Sequence, residues 1–307
     1  MTPLKLGLAV LAMGWFGFQR IGSFTMGETR FTLSNAEIKY EGSKEAKGEK
    51  HILLTGSPVE IQALEKGLTV RGRTVELTWA ELDTKTTEFR KGRVEGEATI
   101  IMDSEQAQKA LAESASQNNR PAPVPSPETT YLEAHSQLFA YTGTSEQGTI
   151  TIPNSWTLKQ SSKGVVTPKD PKKAKVDFDQ VIDASGASGV MNIVRGADGT
   201  LSQPGTGSLE GPVHLKVVRH ETEQGSSKQS TKTYAIVADH IDIDLLTHPG
   251  TIVAKGHVTL DTDEAGFKTH LTDDEFVFKV NEKFDFVGFE GHGKPGTAVG
   301  KSKDGSN

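Results

Sequence analysis

The chain has no cysteine among its 307 residues. Disulfides and thiolate metal sites are therefore excluded, as is lipid attachment through a cysteine. The compartment stays undecided, because cysteine-free chains occur in several. There is no excess of positive charge either: 34 Lys and Arg face 40 Asp and Glu, for a formal net charge of −6. A nucleic-acid interface needs a basic surface, so no nucleic-acid partner is expected. No nucleophile elbow, phosphate-binding loop or catalytic triad is legible. Gly186, Ser188 and Gly189 superficially resemble a nucleophile site, but a serine in a Gly-rich turn is the commoner case. Neither an enzyme nor a cofactor is expected. Long helical patterns are few, whereas Gly 32 and Pro 13 point to an all-β chain rich in turns. Long apolar runs are missing except for one, Leu6 to Phe18, which holds 13 uncharged residues between Lys5 and Arg20. That is the length of a secretory core and short of the roughly 20 residues a spanning helix needs. A cleaved signal peptide, an uncleaved anchor over residues 6–24 and a buried element all fit. The first two send the remainder across a membrane.

What the chain does have is a phrase that returns: a glycine followed by apolar residues at alternate positions. It stands at Gly56 with Val59 and Ile61, Gly96 with Ala98 and Ile100, and Gly148 with Ile150 and Ile152. It returns at Gly211 with Val213 and Leu215, and at Gly256 with Val258 and Leu260. Alternation of period two places apolar side chains on one face of a strand, and a glycine before each strand suits a turn or tight corner. Two blocks of about 35 residues match in outline, one from Val59 to Gly96 and the other from Val258 to Gly291. Such internal similarity implies stacked hairpins over a shared apolar interior.

Strands are expected through 28–103, over 131–141 and 149–158, over 186–195 and 209–218, and from 234 to 289. Residues 103–117 are a weak helix candidate, since their apolar face is mostly alanine, and the start of a linker is the preferred reading. Pro121, Pro123, Pro125 and Pro127 extend that linker or surface loop, because proline cannot donate ladder hydrogen bonds. Lys169, Lys172, Lys173 and Lys175 mark a solvated turn, and 221–232 a polar loop. The expected layout is a signal or anchor over 1–24, the first part of a β domain over 28–105, a linker over 106–129, a second β part over 130–296, and a disordered tail over 297–307.

The sharpest passage runs from Ala238 through Ile241, Ile243 and Asp244, past His248-Pro249-Gly250, to Ala254, Gly256, Val258 and Leu260. It resembles the OstA-like family of lipopolysaccharide-transport proteins, whose pattern is an alternating strand ending in aspartate, a turn, and an Ala-x-Gly-Asn-Val-x-Leu strand. A fainter copy spans Ala36 to Ile61. The likeness covers about half of the chain, and His257 stands where the family usually has asparagine. It implies an elongated, open β-jellyroll in the periplasm, soluble or anchored to the inner membrane. Its apolar groove would carry the acyl chains of lipopolysaccharide or a similar glycolipid. The implied partners are other β-jellyroll transport proteins, joined by edge-strand pairing, and an inner-membrane ABC transporter that hydrolyses ATP. Unpaired strand edges, Phe31 to Tyr40 at one end and Phe276 to Phe289 at the other, are where such partners would add.

The residues expected to line the groove are Ile241, Ile243, Val258, Leu260, Phe267, Leu271, Phe276, Phe278, Phe284 and Phe286. A closed barrel would use the same residues as packed core, and composition does not choose between the two. Histidines cluster after residue 210 among many aspartates, but their spacing fits no metal motif. His240, Asp242 and Asp244 alternate on the polar face of one strand, which reads as a solvated face. Asp261 to Gly266 begins like a calcium loop but has Thr272 where the closing glutamate belongs, so a hairpin turn is expected. Two rival readings remain: a structural or adhesive envelope β-solenoid without a ligand, and a polysaccharide-active enzyme relying on the His and Asp residues of 239–263.

Overall fold

The computed structural model describes residues 23–26, 29–42, 49–81, 87–117, 121, 124–144, 146–168, 174–195, 201–227, 229–264, 267–280, 286–292 and 299–301. In chain order the strands are β1 (Ser23–Met26), β2 (Thr29–Gly42), β3 (Glu49–Ala63), β4 (Leu68–Glu81) and β5 (Thr87–Asp103). One helix follows, α1 (Ser104–Gln117). Then come β6 (Thr129–Gly143), β7 (Gln147–Ile152), β8 (Trp156–Val166), β9 (Val176–Gly186), β10 (Ser188–Arg195) and β11 (Leu201–Glu223). The last are β12 (Gln229–Asp244), β13 (Gly250–Glu264), β14 (Phe267–Val280), β15 (Phe286–Gly291) and β16 (Val299–Lys301). The all-β expectation holds, with antiparallel pairing between consecutive strands. The expected N-terminal signal or anchor helix lies outside the described residues, apart from Ser23 and Phe24, which belong to β1.

The chain forms two compact units. The first takes residues 1–126, 131–154 and 190–204; the second takes 127–130, 155–189 and 205–307. The first unit is ordered β1-β2-β3-β4-β5-β6-β7-β10, and the second runs β8-β9-β11-β12-β13-β14-β15, with β16 also on β14.

Glycines of the recurring phrase sit inside strands, where β-bulges bend them. Four of the five copies fall within β3, β5, β11 and β13, and at each the register slips. A bulge leaves extra residues unpaired and turns the strand, and it resets which residues face inward. In β4 the inward set therefore changes parity, from Val70 to Val75, Leu77 and Trp79. In β12 it changes from Ile236 and Ala238 to Ile241 and Ile243. Without the bulge, half of each strand would present its apolar residues to water.

Gly96 and Gly256 show why this position requires glycine. Both have positive φ, +76° and +71°, and each is followed by a non-glycine residue also at positive φ, Glu97 and His257. The neighbouring strand presses close: a Cβ on Gly96 would lie 2.8 Å from the Arg73 side chain, and one on Gly256 would lie 2.6 Å from Asp239. The two corners are equivalent. The block β3-β4-β5 matches β11-β12-β13 in where its bulges fall, with cis prolines Pro58 and Pro212 beside the first corner of each. The match seen in the sequence, β3–β5 against β13–β15, is the same repeat slid by two strands.

Several expectations are corrected. Residues 104–117 form a helix where a linker start was expected. Asp103 caps it, its Oδ1 accepting the backbone N–H groups of Glu105 and Gln106 at 2.9 and 3.0 Å, and Ala107 is buried. A weak apolar stripe suffices when the N-terminus is satisfied. The polar stretch 221–232 is mostly strand, since β11 and β12 pair out to Thr222 and Gln229. Within the expected tail, Val299–Lys301 pairs with Lys268–His270. Tyr131–Asn154, expected with the C-terminal part, belongs to the first unit.

Candidate functional site

Each unit gathers its inward residues into rows that run across the strands. In the second unit one row is Leu209, Ile241, Ala254 and Phe276; the next is Ile243, Ile252, Phe278 and Phe289. Beyond the bulge a third row is Leu215, Ile236, Leu260 and Leu271. Alternation supplies the rows and register aligns them. Ile241, Val258, Leu260, Phe276 and Phe278 are buried at 4% exposure or less. Ile243, Ile252, Leu209, Leu215 and Leu271 pack against them half-buried.

Seven of the ten expected lining residues thus converge: Ile241, Ile243, Val258, Leu260, Leu271, Phe276 and Phe278. Phe267 does not join them. It opens β14 opposite Glu264, beside the hairpin turn expected there, and is exposed. Phe286 lies in β15 as the partner of Val280, but its side chain is outside the described set, and Phe284 is outside the described residues. Phe289 was missed. It completes an aromatic triangle with Phe276 and Phe278, ring centroids 6.1 Å from each, while 44% of it stays exposed. Its signal was the apolar-Glu-Gly ending it shares with Val94 and Leu209, which in those two strands marks an inward position just before a bulge.

The first unit has an equivalent interior that was not singled out from sequence. Leu54, Val75, Val94 and Phe139 form one row, and Ile61, Val70, Ile100 and Ala134 another. Trp79 stands toward the end of β4, paired with Phe89, and is almost fully buried. Its indole Nε1 is buried and has no hydrogen-bond partner among the described residues. Leaving such a donor unpaired costs about 1–3 kcal/mol, and few buried polar groups are left so. Trp156 in the second unit differs, since its Nε1 donates to the Ser188 carbonyl at 3.1 Å.

The opposite face of the second unit is a ladder of charged pairs. His240 lies between two carboxylates, Nδ1 3.0 Å from Glu210 Oε1 and Nε2 2.8 Å from Asp242 Oδ1. Carboxylates only accept, so both nitrogens can donate only as imidazolium. Partial burial works against that charge, but the bonds to Asp242 and Glu210 outweigh it and hold the His240 pKa above the usual histidine value. Lys255 donates to Asp242 Oδ2 at 2.7 Å, and this bond leads in holding the Asp242 carboxyl below the usual range. Asp261–His270 and Lys279–Glu290 continue the ladder. His240 and Asp242 thus sit on a charged, solvated face, as alternation predicted. Among the described residues no three His, Asp or Glu side chains are grouped to hold a metal ion.

At the twin corners the ion pairs have opposite polarity. In the first unit Arg73 on β4 faces Glu97 on β5 at 3.7 Å; in the second, Asp239 on β12 faces His257 on β13 at 2.7 Å. The hydrogen bond that His257 donates to Asp239 raises the His257 pKa.

No family model matches the chain, and no curated protein or solved structure matches it either.

Proposed function

We propose that the protein binds the acyl chains of lipopolysaccharide or a similar glycolipid between its apolar rows and passes the lipid between membranes of the cell envelope. In this reading it is a periplasmic carrier that performs no chemistry. ATP hydrolysis belongs to an inner-membrane ABC transporter, and other β-jellyroll proteins add at the strand edges. The observation that carries the proposal is the set of inward rows, bent at aligned bulges and packed with half-buried apolar residues, in both units. The half-exposed Phe289 on the terminal strand β15 supports it, as does the resemblance over Ala238 to Leu260. Hiding each methylene of an acyl chain from water gives about 0.8 kcal/mol, so several chains would hold firmly before ordering costs.

A second reading is favoured by one specific observation. Ile241, Val258 and Leu260 are at most 1% exposed, as in a packed interior, which suits a structural envelope protein without a ligand. Photo-crosslinking in cells separates the two. A light-activated residue replaces the half-buried Ile252, and a control replaces Lys255 on the charged face. A glycolipid adduct at 252 alone supports the carrier. Absence of any adduct in folded, exported protein refutes it and leaves the structural reading.

A further inference from the structure

We propose that the first unit holds a second acyl site, in which the indole N–H of Trp79 donates to the carbonyl oxygen of an ester- or amide-linked acyl chain. This rests on the reading that the interior accepts acyl chains, and it names the atom that would orient one. Trp79 belongs to the apolar cluster with Ile52, Leu54 and Leu77, and its Nε1 has no acceptor among the described residues. A buried donor within an apolar cluster discriminates in favour of a ligand that brings an acceptor, because a ligand without one leaves the donor unpaired. An acyl carbonyl fits, since it adds a single strong acceptor to a chain that is otherwise apolar. A sugar or phosphate group would bring many polar atoms for which this cluster offers no partners. The position along the strand also fits. Trp79 is two residues from the end of β4, with Leu77, Val75 and Val70 behind it, so a carbonyl at Trp79 leaves its alkyl tail to run along the inward residues toward the bulge at Gly72.

The test uses the full-length protein and two probes of equal chain length, a monoacylglycerol ester and the matching alkyl ether, which lacks the carbonyl. Wild type is expected to bind the ester roughly tenfold more tightly, as for one neutral hydrogen bond. Trp79→Phe is expected to erase that preference, while Trp156→Phe keeps it. The lost ring volume in Trp79→Phe affects both probes alike and cancels in the ratio. Equal binding of the two probes to wild type overturns the Trp79 role but leaves acyl binding intact. Binding of neither probe overturns the acyl reading of this unit together with the inference. If Trp79→Phe does not fold, the wild-type indole N–H resonances decide. A downfield shift of one indole N–H with the ester and not with the ether supports the donor role, and unchanged resonances overturn it.

Discussion

Replacing Gly256 with alanine tests the corner directly. Two costs add. The backbone stands at φ +71°, where a Cβ meets the following carbonyl at about 1–2 kcal/mol. The new methyl also lies 2.6 Å from Asp239 Oδ2 and 2.9 Å from Asp239 Cβ. The carboxylate can swing away, but Cβ is fixed to the backbone of β12, so the strand itself must move; such overpacking costs about 1–3 kcal/mol. The expected loss for Gly256→Ala is therefore about 3 kcal/mol, read as a lower urea midpoint at unchanged slope. Gly288→Ala, where an added Cβ has no neighbour within 4 Å among the described residues, is the control and should change stability by about 0.5 kcal/mol or less. In an Asp239→Gly background the clash is gone and only the backbone cost remains. The double-mutant cycle should then show about 1 kcal/mol or more of coupling. A neutral Gly256→Ala, or strict additivity with Asp239→Gly, would refute the corner as described.

Leu260→Ala empties a fully buried site and should cost about 2–5 kcal/mol in denaturation, against less than about 0.5 kcal/mol for the exposed Phe267→Ala. Asp103→Ala removes the acceptor for two helix N–H groups and should cost about 1 kcal/mol, seen as reduced helical signal or an earlier transition. The raised pKa of His240 means that the folded state holds its proton more tightly than the unfolded chain. Its stabilisation is complete below the ordinary histidine value and is lost as pH rises through the folded value. Asp242, with its pKa lowered, adds stability above the ordinary carboxylate value that disappears on acidification. Stability measured from pH 5 upward should thus decline through and above the usual histidine range. His240→Asn should flatten its share of that decline, and an NMR titration of His240 at or below the ordinary value would contradict the geometry.

Much of the inner face was legible because strand alternation is local. Ile241 with Ile243, Val258 with Leu260, and Phe276 with Phe278 all face inward as periodicity predicts. The corners were only half legible. Periodicity fails at Gly96 and Gly256, and a failed period looks the same whether the chain turns back or bulges and continues; only the partner strand decides. The helix at Ser104 was undervalued because alanine gives a faint stripe, while its cap, Asp103, is also the last residue of a strand. Phe267 misled because it shares a strand with Phe276 and Phe278 but sits beside a hairpin end, where alternation carries no information about burial. The unpaired donor of Trp79 was beyond sequence altogether, since partnering depends on every neighbour at once.

The opposite polarity of the two corner pairs bears on how a chain with two near-copies of one three-strand block sorts its own strands. Chains with internal repeats are prone to joining a strand of one copy to a neighbour from the other. Here such an exchange is marked against at the positive-φ glycine corner of each block. Laying β13 against β4 would set His257 beside Arg73, and laying β5 against β12 would set Glu97 beside Asp239. Both are like-charge encounters once His257 carries its proton, a form the correct partner Asp239 favours. The pair at each corner therefore serves as an address, telling two otherwise interchangeable strands which copy they belong to.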